Sequence, residues 1–299
     1  MTLSAIVPAT NAPPTLDRCL DAIRGADEPP DELIVVDEGS GGPAEARNRG
    51  AVRATGDVVV FVDADVVVHR DAFRRIRRAF DADASLAGLF GSYDDRPADP
   101  GTVSAFRNLL HHHVHQQGAG PATTFWAGLG AVRRDCFDAA GGFDADRYPV
   151  PSVEDVDLGA RLTAAGHRIE LDPDLQGTHL KAWSLRSMVE SDLWDRGVPW
   201  VGLLLRHRTA SSALNLGWRH RLSAIASLVA AGSLLRGRLR TTVAALAALV
   251  ALNRSFYVLL ARKRGRLEAA KGVGLHALHH LVSAASVPIA LIEHLRGRD

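Results

Sequence analysis

Two aspartates one residue apart, Asp63 and Asp65, close the apolar run Val58-Val-Val-Phe-Val62. Two carboxylates so spaced at a strand end reach one pocket at the rim of a sheet. Hard oxygen ligands of this kind suit Mg²⁺ or Mn²⁺, and the ion in turn neutralises a diphosphate. Asp37 ends a second apolar run, Leu33-Ile-Val-Val36. Ligands of open α/β sheets bind outside the carboxyl ends of the strands, which is where Asp37, Asp63 and Asp65 all fall. Further on, Glu154, Asp155 and Asp157 form an acidic cluster at the start of an expected helix. Four histidines, at 111 to 113 and 115, offer imidazoles, but neighbours on a helix point in different directions and do not converge on one ion. They are assigned to an acceptor-side or membrane-facing segment.

These groups need strands that end together, and the first hundred residues supply the pattern of parallel strands joined by helical crossovers. Ala5-Ile-Val7 reads as a strand. Residues 15–26 place Leu16, Cys19, Leu20 and Ile23 on one helical face before Pro29-Pro30 stops the helix. Leu33–Val36 is a second strand, 44–54 a helix, 57–62 a strand buried on both faces and 71–80 a helix. Residues 94–123, rich in Pro, Gly and His, are expected to be irregular and mobile. Order is expected to resume at Phe125 and to lead to a helix over 154–165 ended by Gly166.

The motifs follow one another in a specific order. Val7-Pro8-Ala-Thr-Asn11, Val36-Asp37-Glu38-Gly-Ser40 and Ala44-Glu-Ala-Arg47-Asn-Arg-Gly50 lead to Asp63-Ala-Asp65. Beyond these stand Trp126-Ala-Gly128, Gly141-Gly-Phe-Asp144, Val153-Glu154-Asp155 and His179-Leu-Lys181-Ala-Trp183. Over residues 3–205 this resembles the family 2 glycosyltransferases of the GT-A fold, in particular their bacterial membrane-associated branch. The resemblance implies a Rossmann-like mixed, mostly parallel sheet with flanking helices, and a metal-dependent, inverting transfer from a nucleoside diphosphate sugar. By it, Pro8, Asn11, Asp37, Glu38, Arg47 and Asp63 would bind the donor. Either Asp37 or Glu38 would meet the base, Asp63 the ribose side, and Arg47 the base or phosphates unless it makes a helix-surface salt bridge. Asp65 and His179 would hold the metal. Asp155, paired with Glu154, would be the general base that deprotonates the acceptor hydroxyl. Trp126, Lys181 and Trp183 would face the acceptor, although Trp126 serves equally as a core aromatic. Glu38 departs from the family, which commonly has a second aspartate there.

Composition adds a division. Residues 1–180 hold 17 Arg against 28 acids, a net of −11, and residues 181–299 hold 18 Arg and Lys against 6 acids, a net of +12. Basic residues in the second part alternate with apolar runs at 222–235, 239–261 and 273–295, not with aromatic stacking platforms. That favours membrane lipids over nucleic acid as the partner. The expected domains are a nucleotide-sugar domain over 1–205 and a helical membrane region over 206–299 that spans the bilayer or lies flat on it, with soluble helices packed onto the catalytic domain as the competing reading. Cys19 and Cys136 form no metal or disulfide pattern and fit a reducing compartment. The N-terminus lacks a signal pattern, so the catalytic part is expected on the cytoplasmic face of the cell membrane. The acceptor is expected to be lipid-linked or a saccharide. Two other functions compete with this one. Sugar-nucleotide synthesis needs a Gly- and Arg-rich loop after the first strand, and Val7–Pro13 offers none. A non-catalytic nucleotide-sugar scaffold has no need of Asp63, Asp65, Glu154, Asp155 and His179 together.

Overall fold

A computed structural model describes residues 1–10, 12–39, 41–207 and 217–296; Asn11, among the expected donor contacts, lies outside the described residues. The chain divides into two compact units, Met1–Ala98 with His115–Lys181, and Asp99–Val114 with Ala182–Asp299. Residues 182–205, grouped in the sequence with the catalytic domain, therefore fall in the second unit.

The first unit is built on one eight-stranded sheet in the order β2-β1-β3-β7-β5-β8-β4, with β6 on β8. Its strands are β1 (Leu3–Pro8), β2 (Glu32–Val36), β3 (Val58–Val62), β4 (Val66–Val68), β5 (Leu86–Tyr93), β6 (Gly120–Ala122), β7 (Leu129–Arg133) and β8 (Arg168–His179). Strands β1, β2, β3, β5 and β8 run one way and β4, β6 and β7 the other. The sheet is thus mixed and mostly parallel. Crossovers between its strands are the helices α1 (Leu16–Arg24), α2 (Pro43–Arg53) and α3 (Ala72–Ala82). The expected α1 face is buried through Cys19, Leu20 and Ile23. All five residues of β3 are buried, as a strand covered on both faces requires.

Residues 94–123 differ from expectation: α4 forms over Thr102–Gln117, and the histidine run lies on it. The Pro and Gly residues that suggested irregular chain flank this helix on both sides. His113 and His115 are buried, and the His115 Nδ1 lies 2.8 Å from the Gly91 carbonyl oxygen. After β7 come α5 (Arg134–Ala139) and α6 (Glu154–Ala164). Gly166, at φ +85°, ends the segment as expected.

The second unit consists of α4 up to Val114, α7 (Leu185–Glu190), a π-helical turn at Ser191–Gly197, and α8 (Val198–His207), α9 (Trp218–Leu235), α10 (Leu239–Leu252), α11 (Arg254–Arg264) and α12 (Arg266–Leu295). Phe106, Leu109, Met188, Phe256 and Leu260 form its core. The apolar stretch 239–261 is not one helix. It breaks at the buried Asn253, whose side-chain amide donates to the Ser223 hydroxyl and the Leu249 carbonyl at 2.9 Å each, and α11 departs from α10 at 82°. Among the described residues α12 alone is a single helix long and apolar enough to cross a bilayer, and α10 with α11 qualifies only as a bent pair.

Close helix packing sets where the acids of α6 stand. A Cβ on Gly159 would lie 2.3 Å from the Phe125 nitrogen. Helix α6 can therefore lie against the backbone leading into Trp126 only because residue 159 is glycine. Gly159→Ala is expected to destabilise the protein by about 1–3 kcal/mol, the usual cost of overpacking, read as a lower urea midpoint with an unchanged slope.

Candidate active site

Parallel pairing aligns the ends of three strands. Pro8 is opposite Val36 in the β1–β2 ladder and Ile6 opposite Phe61 in the β1–β3 ladder, so Pro8, Asp37, Glu38 and Asp63 all stand at one edge of the sheet. Asp37 and Glu38 are exposed there. Arg49, on α2, donates to the Glu38 carbonyl oxygen, which ties the β2 loop to that helix.

Arg47 is the organising cation. It is 5% exposed, and its two terminal nitrogens donate to an Asp63 oxygen and a Glu154 oxygen, each at 2.7 Å. The guanidinium lies 5.4 Å from the centre of the Phe143 ring. It therefore joins the end of β3 to the start of α6, two elements far apart in sequence. A surface salt bridge on α2, the simpler role open to it, is not what the fold builds.

The segment Gly141–Asp144 holds this helix in place. Asn48, beside Arg47, accepts from the Phe143 nitrogen at 2.9 Å and donates to the Phe143 oxygen at 2.7 Å. Phe143 in turn packs edge-on to Phe61 of β3 at 5.0 Å. Gly141 and Gly142 take positive φ, +77° and +68°, to make the turn. The sequence marks this motif without giving it a role, and its role is to seat α2.

Glu154 and Asp155 begin α6, where the helix N-terminus favours negative charge. The second oxygen of Glu154 accepts from the Ser152 nitrogen at 2.9 Å. Asp155 accepts from the Ala127 nitrogen at 3.1 Å and from the Val156 nitrogen at 2.8 Å. Burial, followed by the charge of Glu154, pushes the Asp155 pKa up to about 6, against the opposing pull of Arg47. A carboxylate titrating there accepts a proton near neutral pH far more readily than an ordinary aspartate does.

A second arm of the site runs through β8. The Asp65 oxygen lies 3.4 Å from the His179 Nε2, and the Leu180 nitrogen donates to the Asp65 carbonyl at 2.8 Å. Burial works to raise the Asp65 pKa, but the hydrogen bond and charge of His179, with the charge of Lys181, outweigh it and hold the carboxyl below its ordinary range. His179 is stacked on Tyr93, rings 4.1 Å apart and 9° from parallel. Tyr93 meets Trp126 edge-on at 4.9 Å, and Trp126 meets His115 at 5.5 Å. Trp126 is thus packed yet only half-buried. Tyr93 is a site residue that sequence reasoning missed; the apolar run from Leu86 to Phe90 was the signal for its strand.

Trp183 lies in the second unit. Its nitrogen donates to the Ser104 hydroxyl at 2.8 Å, and the Arg107 guanidinium stands 4.8 Å from its ring centre.

Among the described residues no group of three or more His, Cys, Asp or Glu side chains could hold a metal ion. Asp65 and His179 nevertheless fit an ion that takes few protein ligands. Adjacent ligands at about 2.1 Å from one octahedral ion stand about 3 Å apart, close to their separation here, and Mg²⁺-like ions fill the remaining positions with water and substrate phosphates.

The fold and the edge of acids define a GT-A protein, and the comparisons agree. The model of Glycosyl transferase family 2 matches residues 4–41 and 40–140. Pre-mycofactocin glycosyltransferase from Mycobacterium tuberculosis is 26% identical over 217 residues, covering 62% of this chain. The chain spans 44% of the length of that curated relative. Among solved structures, a mannosyltransferase from Pyrobaculum calidifontis, in complex with GDP-Man and Mn²⁺, aligns with a TM-score of 0.54 at 17% identity. The alignment covers 99% of this chain and 88% of that one, and it is a likeness of fold.

Glu154→Gln removes one of the two charges facing a buried cation. It is expected to cost about 3–5 kcal/mol, the range for breaking a buried pair by removing one partner. It should also lower the Asp155 pKa, because the Glu154 charge is one of the two influences that raise it. Denaturant unfolding measures the first effect and carboxyl NMR titration the second.

Proposed function

We propose that this chain is a metal-dependent, inverting glycosyltransferase that moves a sugar from a nucleoside diphosphate sugar to a lipid-linked or saccharide acceptor at the cytoplasmic face of the cell membrane. The observation that carries the reading is the buried Arg47, which brings the Asp63 strand end and the Glu154-Asp155 pair to one place. The match of residues 4–140 to the glycosyl transferase family 2 model and the likeness to a glycosyltransferase support it.

In this reading Pro8, Asp37, Glu38 and Asp63 line the donor side, and Asn11 is assigned to the donor on the family resemblance alone. Arg47 acts as a positioning residue, since its terminal nitrogens are bound to Asp63 and Glu154. Asp65 and His179 would hold Mg²⁺ or Mn²⁺, whose chemistry is to neutralise charge on the leaving diphosphate. Asp155 takes the proton from the acceptor hydroxyl as that oxygen bonds to the anomeric carbon and the bond to the diphosphate breaks. One displacement inverts the anomeric centre. The two backbone N–H groups bound to Asp155 fix its carboxylate in direction, and its raised pKa gives it the needed basicity. Trp126, with its half-open face, and Lys181 stand on the acceptor side, and Trp183 is assigned there on the family resemblance alone.

Asp155→Asn should lower kcat by about a hundredfold or more while leaving donor affinity nearly unchanged; a matching loss of donor affinity would count against the base assignment. Because the base must be ionised, kcat of the native protein should rise with pH through about 6 and level off above it. Asp65→Ala should abolish the metal dependence of donor binding, seen by titration calorimetry with a panel of nucleotide sugars in Mn²⁺ and then in chelator. Donor binding without transfer to any acceptor would mark the chain as a scaffold.

A further inference from the structure

Helices α9 and α10 pack against each other in an inverted manner. The residues α9 buries are small or hydroxylated: Ser223, Ala226, Ser227, Ala230 and Ser233. On α10 they are Thr242, Ala245 and Leu249. Hydrogen bonds close the seam, between Ser233 and Thr242 at 2.8 Å and from Asn253 to Ser223 at 2.9 Å. The large apolar side chains point outward, including Ile225, Leu228 and Val229 on α9 and Val243 on α10, each more than 40% exposed. Water-soluble helices show the opposite arrangement, with an apolar stripe inward and a polar face outward. Small residues and hydroxyls between helices, with large apolar residues outside, are the packing of helices whose solvent is hydrocarbon.

The charges mark the depth. Residues 196–267 contain no Asp or Glu and thirteen Arg and Lys. Arg236, Arg238 and Arg240 stand at the α9–α10 turn and Arg219, Arg221 and Arg254 at the other end, leaving 222–235 and 241–252 free of charge. The longer of these stretches rises about 21 Å, short of the roughly 30 Å of a bilayer core. A hairpin of that length with arginines at both ends keeps both ends at headgroups by lying along one leaflet. The exposed Trp218, at the start of α9, fits an interfacial position.

We propose that the α9–α10 hairpin lies within one leaflet of an anionic bilayer, its outward Leu, Ile and Val side chains among the acyl chains and its terminal arginines on lipid phosphates. This rests on the membrane location given above and specifies how it is achieved: by an in-plane wedge. Lipid is favoured over a protein partner because the apolar surface continues over both helices and is bounded by cations at both ends.

The test uses the full chain carrying Cys136→Ser, added to preformed phosphatidylcholine vesicles with and without phosphatidylglycerol. Spin labels at Ile225→Cys, Leu228→Cys and Val243→Cys should collide with oxygen in preference to a water-soluble nickel chelate. Gly237→Cys should react with an impermeant maleimide added outside. Replacing Arg236, Arg238 and Arg240 by Gln should weaken binding to the anionic vesicles on the order of tenfold or more. If the protein floats with vesicles while all three labels prefer nickel, another segment is the anchor and the hairpin proposal falls alone. If Gly237→Cys reacts only after the vesicles are opened, the hairpin crosses the bilayer and the in-plane placement is wrong. A protein that fails to float with any vesicle overturns the membrane location and the proposal together.

Discussion

A buried cation with carboxylates on either side governs the first unit. Arg47 has its two terminal nitrogens on Asp63 and Glu154, and a guanidinium this deep persists only with such partners, because an unpaired buried charge costs several kcal/mol. The constraint runs outward from there. Helix α2 must sit where Arg47 reaches β3, so Asn48 grips Phe143 and Gly141-Gly142 bends to bring Phe143 under the guanidinium. Helix α6 must begin where Glu154 reaches Arg47, which carries Asp155 to the backbone of Ala127. The raised Asp155 pKa is a by-product of the same assembly, which buries the carboxyl and sets the charge of Glu154 beside it.

The other arm adds stacked rings to its charges. Asp65 and His179 come from β-segments that are neighbours only through the β4–β8 pairing, which sets Val66 opposite His179. The stack of Tyr93 on His179 and the edge contact of Trp126 on Tyr93 fix the imidazole plane by shape. Direction is thus set by different means in the two arms: ion pairs and backbone donors around Asp155, aromatic packing around His179.

Much of this was legible in the sequence where local pattern and tertiary role coincide. Val58–Val62 is an unbroken apolar run and forms a strand buried along its whole length, and α1 buries the residues its periodicity selects. Strand β5 escaped notice although all eight of its residues are buried, because Gly88 and Gly91 interrupt its apolar run. Helix α4 escaped because its flanking Pro and Gly and its histidines mask a buried face. The role of Arg47 could not be read from its surroundings, since its partner Glu154 stands 107 residues away. The acids themselves were visible because strand ends announce themselves in sequence, while the network that couples them is set by contacts of long range.

The position of β8 has a consequence for how the protein is made. It is the last strand of the sheet in chain order, yet it lies between β5 and β4 and also pairs β6. Strands β4 and β6 have no other partner in the sheet among the described residues. During synthesis the ribosome therefore releases more than half of the chain before those two short strands can be hydrogen-bonded at all, and β5 waits with one edge bare. An unpaired strand edge is a template for the wrong neighbour. The interval before residue 179 emerges is thus the period of greatest exposure to aggregation, and the strand that completes the His179 arm of the site is also the one that closes the sheet.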